Sequence, residues 1–492
     1  MPFANQSQAK TPLLDALREC ANKHHAPFYT PGHKRGQGIA QQLADCFGEA
    51  IFRADLPELP QLDNLFAPQG VIQEAQQLAA AAFGAEHTWF LVNGSTCGVE
   101  AAILATCGTG DKIILPRNVH SSCVAGLILS GAIPIFINPE YDPVLDIAHS
   151  ITPSGVQAAL EQHPDAKAVI MVYPTYYGVC GDVAAIATLA HQYNIPLLVD
   201  EAHGAHFAFH PDLPTPALAA GADLSVQSIH KVLGAMTQAS MLHVQGNRVD
   251  IDRVSKALQL VQSTSPSYLL LASLDVARQQ MALQGKQLMS RTLQLADAAR
   301  NRISQIPELS VLQPVMATPG FVALDRTRLT VTVSRLGLTG FEADEILAQH
   351  SVLAELPSLQ HLTFIITLGN TEADIELLVQ GFKTLSKEHQ PNLLLKAVSN
   401  DILTHIPINI QIPQITPREA FFSPTETLPV EKTSDRISAE LVCPYPPGIP
   451  VLMPGEVITP AALDYLQHIQ AMGGFISGCA DTTLSTLKVV KH

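Results

Sequence analysis

The sequence predicts an α/β protein: a large domain built on a mostly parallel seven-stranded sheet, followed by smaller α/β elements. Two observations carry this. Seven short β-rich runs, Thr88–Val92, Lys112–Leu115, Ile133–Ile137, Ala168–Tyr173, Ile195–Asp200, Asp223–Val226 and Met241–Val244, are separated in several places by helix-compatible stretches such as Thr96–Cys107, Ser121–Ser130 and Asp182–Tyr193. The runs are apolar throughout, the pattern of strands buried on both faces of a parallel sheet, and the intervening helices supply the covering layers.

At 492 residues the chain is too long for one core, so further domains are expected. A long helical region, Asp252–Ile306, leads to a second, shorter pattern: a strand at Leu329–Val333, a helix at Phe341–His350, a strand at His361–Leu368 and a helix at Thr371–His389. The stretch from Glu388 to Glu440 mixes Pro, Thr, Ser and Ile and takes no assignment. Pro444-Tyr445-Pro446-Pro447-Gly448 and Pro454-Gly455-Glu456 read as rigid turns, and Ala461–Gln470 as a helix.

Composition narrows the function. With 29 Lys+Arg against 44 Asp+Glu the formal net charge is -15, a balance that argues against nucleic acid or an anionic membrane and is compatible with a small cationic ligand. No apolar run approaches the ~18 residues of a membrane helix, and the start MPFANQSQAKTPLLD is not a secretory signal. The eight cysteines form no Cys-x-x-Cys pair and are too sparse for a disulfide scaffold, as expected of reduced thiols in a cytoplasmic protein.

Three constellations carry chemistry. Asn93-Gly94-Ser95-Thr96 follows a strand and opens a helix, so backbone N–H groups and hydroxyls converge on an anion at the helix's positive end; as plain N-caps, Ser and Thr would look the same. Asp200-Glu201-Ala202-His203 ends an apolar strand, and open α/β sheets bind ligands outside the carboxyl ends of strands. These letters also spell a box of nucleic-acid-dependent NTPases, but no G-x-x-x-x-G-K-[ST] loop accompanies them and that reading fails. His203, His206 and His210 have helical spacing with no Cys or carboxylate to close a coordination shell, so no metal is expected. Ser228-Ile229-His230-Lys231 places an amine beside a hydroxyl and an imidazole, where burial lowers its pKa and frees it as a nucleophile. An anion cradle, a strand-end acid and, 31 residues later, a lysine are the groups that pyridoxal 5'-phosphate requires for its phosphate, ring nitrogen and aldehyde.

A longer series then resembles one family. Thr30-Pro31-Gly32-His33-Lys34-Arg35-Gly36, Asp55-Leu56-Pro57-Glu58-Leu59, Leu62-Asp63-Asn64-Leu65, Arg117-Asn118-Val119-His120-Ser121, Pro174-Thr175-Tyr176-Tyr177-Gly178, Thr264-Ser265-Pro266-Ser267-Tyr268 and Pro444–Pro450, with the three constellations above and Pro454-Gly455-Glu456, are similar to the signature series of the bacterial ornithine/lysine/arginine decarboxylases of the aspartate-aminotransferase fold. The likeness leaves mainly 300–440 without a motif. The resemblance implies an N-terminal segment at 1–45, a pyridoxal-phosphate-binding large domain at 46–300, a small α/β domain at 301–390 and a C-terminal domain at 391–492. It makes Lys231 the lysine that carries the cofactor and Asp200 the partner of the ring nitrogen. Ser95 and Thr96, with Ser228 and His230, would hold the phosphate. His120 would stack on the ring, and Thr175 and His203 would line its oxygen-bearing edge. The family's site lies at a dimer interface, so Ser263 or Thr264 would reach a neighbouring subunit's phosphate.

Larger family members carry an N-terminal wing that builds higher oligomers. Here the chain begins close to His33-Lys34, so a homodimer or dimer of dimers is expected. The implied reaction is α-decarboxylation of a basic amino acid, with Lys231 or a neighbouring histidine returning the proton. Arginine giving agmatine is favoured, lysine giving cadaverine is next, and ornithine is the third candidate. Glu456, in its Pro-Gly turn, is the expected carboxylate for the substrate's distal cation. An aminotransferase or carbon–carbon lyase on this fold competes, as does a binding protein that retains it. A transaminase would need a keto-acid acceptor and release no CO2.

Overall fold

The computed structural model describes residues 7–314, 319–389, 413–445, 449–471 and 474–491. Seven strands form the principal sheet: β1 (His87–Leu91), β2 (Lys112–Pro116), β3 (Ile133–Ile137), β4 (Ala168–Val172), β5 (Leu197–Asp200), β6 (Leu224–Gln227) and β7 (Ser240–Val244). Their spatial order is β1-β7-β6-β5-β4-β2-β3. β2 pairs in parallel with both β3 and β4, whereas β7 runs antiparallel to both β1 and β6. Every expected run is present to within two residues at either end. The reason is visible in β4, where Ala168, Val169, Ile170 and Met171 are each at most 2% exposed, so both faces of the strand lie in the core.

Eight helices are used below: α1 (Gly94–Thr106), α2 (Ser121–Ser130), α3 (Ile229–Val232), α4 (Ile251–Val261), α5 (Tyr268–Ile303), α6 (Gly340–Gln349), α7 (Glu372–Glu388) and α8 (Pro460–Ala471). The helical region expected as one stretch over 252–306 is two helices, α4 and α5. Between them Pro266 lacks the N–H that a continuing helix needs, and Ser263, Thr264 and Ser265 favour a turn.

The chain divides into two compact units, Met1–Ala105 with Val199–Met289, and Thr106–Leu198 with Ser290–His492. In the first, α1 sits unusually close to the sheet. A Cβ on Gly98 would fall 2.6 Å from Val226 Cγ1 and 2.7 Å from Leu91 Cδ1, so only glycine lets the helix seat over β1 and β6. The N-terminal motifs organise the chain ahead of the sheet. Asp63 accepts backbone N–H groups from Asn64, Gln69, Gly70 and Ile72, and His33 contacts Asp55 at 3.0 Å.

In the second unit a four-stranded antiparallel sheet follows the order β8 (Ser310–Val311), β9 (Arg328–Thr332), β11 (His361–Ile365), β10 (Leu356–Pro357). Helices α6 and α7 each start with a capping box, Thr339 with Glu342 and Thr371 with Asp374, and bury Leu347, Val379 and Phe382 among Val331, Leu362 and Phe364 of the strands. Past 413 a second small core gathers Val442, Leu452, Ile458, Leu466, Ile469 and Val489 around α8 and two short antiparallel ladders. One ladder is Cys443–Tyr445 against Phe475–Ser477, so the expected turn at Pro444 begins instead as a strand. Pro446, Pro447 and Gly448 lie outside the described residues, as do 390–412 of the unassigned stretch. No helix among the described residues is long and apolar enough to cross a membrane.

Candidate active site

In the first unit the three sequence constellations converge. Asp200 is the last residue of β5, buried, with one carboxylate oxygen accepting the Ala202 N–H at 3.2 Å. The Ala202 carbonyl in turn accepts the Ser228 N–H at 3.3 Å, and Ser228 Oγ donates to Ser95 Oγ at 2.8 Å. Thus the loop after β5, the loop after β6 and the first turn of α1 are joined hydrogen bond by hydrogen bond. Lys231, on α3, places its amine 3.0 Å from Nε2 of the buried His203. His230 directs Nδ1 to the Ala239 carbonyl at 3.1 Å; burial lowers its pKa, so the neutral ring donates from Nδ1.

The α1 start has the form an anion needs. Gly94 has φ +75°, a left-handed conformation that glycine adopts without strain, and it opens a helix of 13 residues with Ser95 half-buried and Thr96 exposed in the first turn. The link carrying Thr264 lies beside this loop: the Ser263 N–H donates to Asn93 Oδ1 at 3.3 Å, and Gln262 accepts the Val92 N–H at 2.9 Å. Thr264 itself is exposed.

Sequence reasoning gives no role to Glu201, yet it is the most enclosed carboxylate here, 0% exposed. Its oxygens accept from Ala217 N at 2.8 Å, Ser225 Oγ at 2.7 Å and Gln227 Nε2 at 2.9 Å. Desolvation pushes its pKa up to about 7 against these three donors. Behind it, Gln227 Oε1 meets His243 Nε2 at 3.2 Å and His243 Nδ1 meets Thr88 Oγ1 at 2.8 Å. Burial pushes His243 down to about 3, which keeps the ring neutral. The available signal was polar Ser225, Gln227 and His243 inside otherwise apolar strands.

The second unit holds the other expected residues. His120 is exposed and caps α2, its Nδ1 accepting the Ser122 N–H at 3.2 Å. Thr175 is buried, its hydroxyl accepting the Val179 N–H at 3.2 Å in the turn that ends at Gly178. Glu456, expected as the reader of a distal substrate cation, is engaged otherwise. It is buried, its two oxygens bind Nη1 and Nη2 of Arg117, the latter at 2.7 Å, and one also accepts the Met453 N–H at 2.9 Å. Arg117 Nε and Nη2 also donate to the Pro450 and Val451 carbonyls at 2.9 and 3.0 Å, and the residue is 0% exposed. A second cation at Glu456 would have to displace this fork. Gly455, at φ +93°, makes the turn possible, because a Cβ there would fall 2.1 Å from the Ile415 carbonyl oxygen.

A sheet in this strand order, with its acid at the end of β5 and its lysine just past β6, is the large domain of a fold type I enzyme. The structure of the E. coli constitutive lysine decarboxylase has this fold, with a TM-score of 0.84 at 22% identity over 98% of this chain and 82% of that one. The model of the Orn/Lys/Arg decarboxylase major domain matches residues 11–327, and that of the Orn/Lys/Arg decarboxylase C-terminal domain matches 397–482. The chain belongs to the Orn/Lys/Arg decarboxylase family. It is similar to the arginine decarboxylase of Bacillus anthracis, 42% identical over 99% of this chain and 98% of that protein, and to that of Bacillus subtilis (strain 168), 41% identical over 99% of each.

Proposed function

We propose that the chain is a pyridoxal 5'-phosphate-dependent decarboxylase that converts L-arginine to agmatine and CO2. The observation that carries the substrate is the 41–42% identity, across 99% of the chain, to two arginine decarboxylases. The chemistry of the donor set supports the cofactor: hydroxyls and a helix N-terminus for a dianion, a carboxylate for a ring cation, and an amine for an aldehyde.

When bound, pyridoxal phosphate supplies an aldehyde for covalent attachment and an electron-poor ring that takes up the electron pair left as CO2 departs. The residues of the chain have complementary tasks. The Lys231 amine would hold the cofactor through its aldehyde, and the Asp200 carboxylate would place a negative charge beside its ring nitrogen. Ser95, Thr96 and Ser228 hold the phosphate at the start of α1, with His230 supporting the loop. His203 orients the Lys231 amine and shares its proton, which makes this pair the donor to the substrate's Cα. We assign Glu456 to holding Arg117, and through it the turn that leads to His120. The free state of all eight cysteines fits a reducing, cytoplasmic setting. A homodimer in which Thr264 approaches the partner's phosphate is the accompanying assembly.

Incubation with arginine, lysine and ornithine in parallel, with cofactor, followed by chromatography of the amines, tests the reading. Agmatine as the dominant product is expected. Cadaverine as the dominant product would reassign the substrate, and amino-group transfer without CO2 would reassign the reaction.

A further inference from the structure

We infer that Glu201 is a positioning residue for this reaction: its buried carboxylate sets where Asp200 and Ser228 stand without touching cofactor or substrate. The inference rests on the reading above, in which Asp200 serves the ring nitrogen and Ser228 the phosphate.

A buried carboxylate with no ion-pair partner among the described residues is costly to keep, and an apolar side chain of similar volume would serve the core better. What Glu201 supplies is convergence. Ser225 and Gln227 donate to it from one face of β6, and Ala217 donates from the loop preceding that strand. The main chain adds Glu201 N to the Val226 carbonyl at 2.9 Å. The residues flanking this knot in sequence are the ones the chemistry needs: Asp200 precedes Glu201, and Ser228 follows Gln227.

The hydrogen bonds run in one direction. Gln227 Nε2 donates to Glu201, so its Oε1 accepts from Nε2–H of the neutral His243, whose Nδ1 then accepts from Thr88 Oγ1. Every link donates toward the Glu201 carboxylate. The glycine of Asp200-Glu201-Ala202-His203-Gly204 has the same origin, because a Cβ on Gly204 would fall 2.7 Å from Glu201 Cγ.

Glu201→Gln keeps the volume but turns an amide N–H group toward groups that already donate; Ser225→Ala removes one donor and leaves the carboxylate. Both full-length variants, loaded with pyridoxal phosphate, are compared with wild type by visible circular dichroism of the bound cofactor and by kcat and KM on arginine. The expected result is a kcat lowered about tenfold in Glu201→Gln and less in Ser225→Ala, KM within about twofold, and a changed visible dichroism in both. Wild-type kcat and dichroism in folded, loaded variants, with only the melting temperature lowered, would overturn the inference. If Glu201→Gln does not fold, Ser225→Ala decides alone. If the wild type decarboxylates none of the three amino acids, the dichroism arm still decides, and the failure belongs to the substrate reading. If it binds no pyridoxal phosphate, that reading and this inference fall together.

Discussion

Two buried glutamates, Glu201 of the first unit and Glu456 of the second, are accommodated in different ways. Glu201 in the first unit meets three neutral donors, and its carboxyl is pushed up to about 7 by burial. Glu456 in the second meets the fork of a buried arginine that also donates to two carbonyls of the same segment. Neutral donors orient a group without neutralising it, so Glu201 stays responsive to its surroundings. An ion pair cancels both charges and acts as a fastener. The knot at Glu201 therefore orients the groups around it, and the fork at Glu456 fastens its segment.

Substitutions should sort accordingly. The largest effect belongs to Lys231→Ala, which should remove at least about 10⁴-fold of the rate and the visible absorbance of the lysine-bound cofactor while the fold persists; CO2 release at a comparable rate would break the assignment. Next, Asp200→Asn should retain cofactor but lose about 10²–10³-fold in kcat, with a melting temperature near wild type. A large loss of stability there would place Asp200 with the fasteners instead. Arg117→Ala should do the reverse, costing about 3–5 kcal/mol in denaturant unfolding because it strands Glu456 without its cation, and pairing it with Glu456→Leu should restore much of that loss. No recovery in the double variant would mean that the fork is not what binds the segment.

The smallest effect is a pH dependence. Because the folded-state pKa of Glu201 is raised from 4.5 to about 7, the native state keeps a proton that the unfolded chain has released. Its contribution is thus fully present below about pH 4.5 and is lost as pH rises through about 7, by an amount on the order of 1–3 kcal/mol. Glu201→Gln should flatten that part of the stability profile, measured by denaturant melts from pH 5 to 8; an unchanged slope would show that another group produces it.

These contrasts also explain what could be read from the amino acids. The strands were legible because burial on both faces leaves an uninterrupted apolar run such as Ala168–Val172, and the ends of those runs point to Asp200 and Lys231. The role of Glu201 was hidden because it depends on which face of β6 carries Ser225 and Gln227, which strand pairing decides. The Arg117 partner of Glu456 was hidden for a related reason: it lies 339 residues away, and a Pro-Gly turn with an acid looks the same whether its carboxylate faces solvent or a buried guanidinium. The break between α4 and α5 was encoded in Ser265-Pro266, but the strong helical periodicity on either side hid it.

The distance between Arg117 and its partners has a consequence during synthesis. Pro450 and Glu456 emerge 333 and 339 residues after the arginine, roughly 20–70 s later at about 5–20 residues per second. For that interval the end of β2 carries a guanidinium whose final acceptors do not yet exist, and sealing it early would bury a bare charge. The second unit therefore waits for nearly the whole polypeptide before it can close. A nascent chain interrupted before Pro450 should be open to proteases at the Arg117 end of β2, however complete the cofactor residues ahead of it.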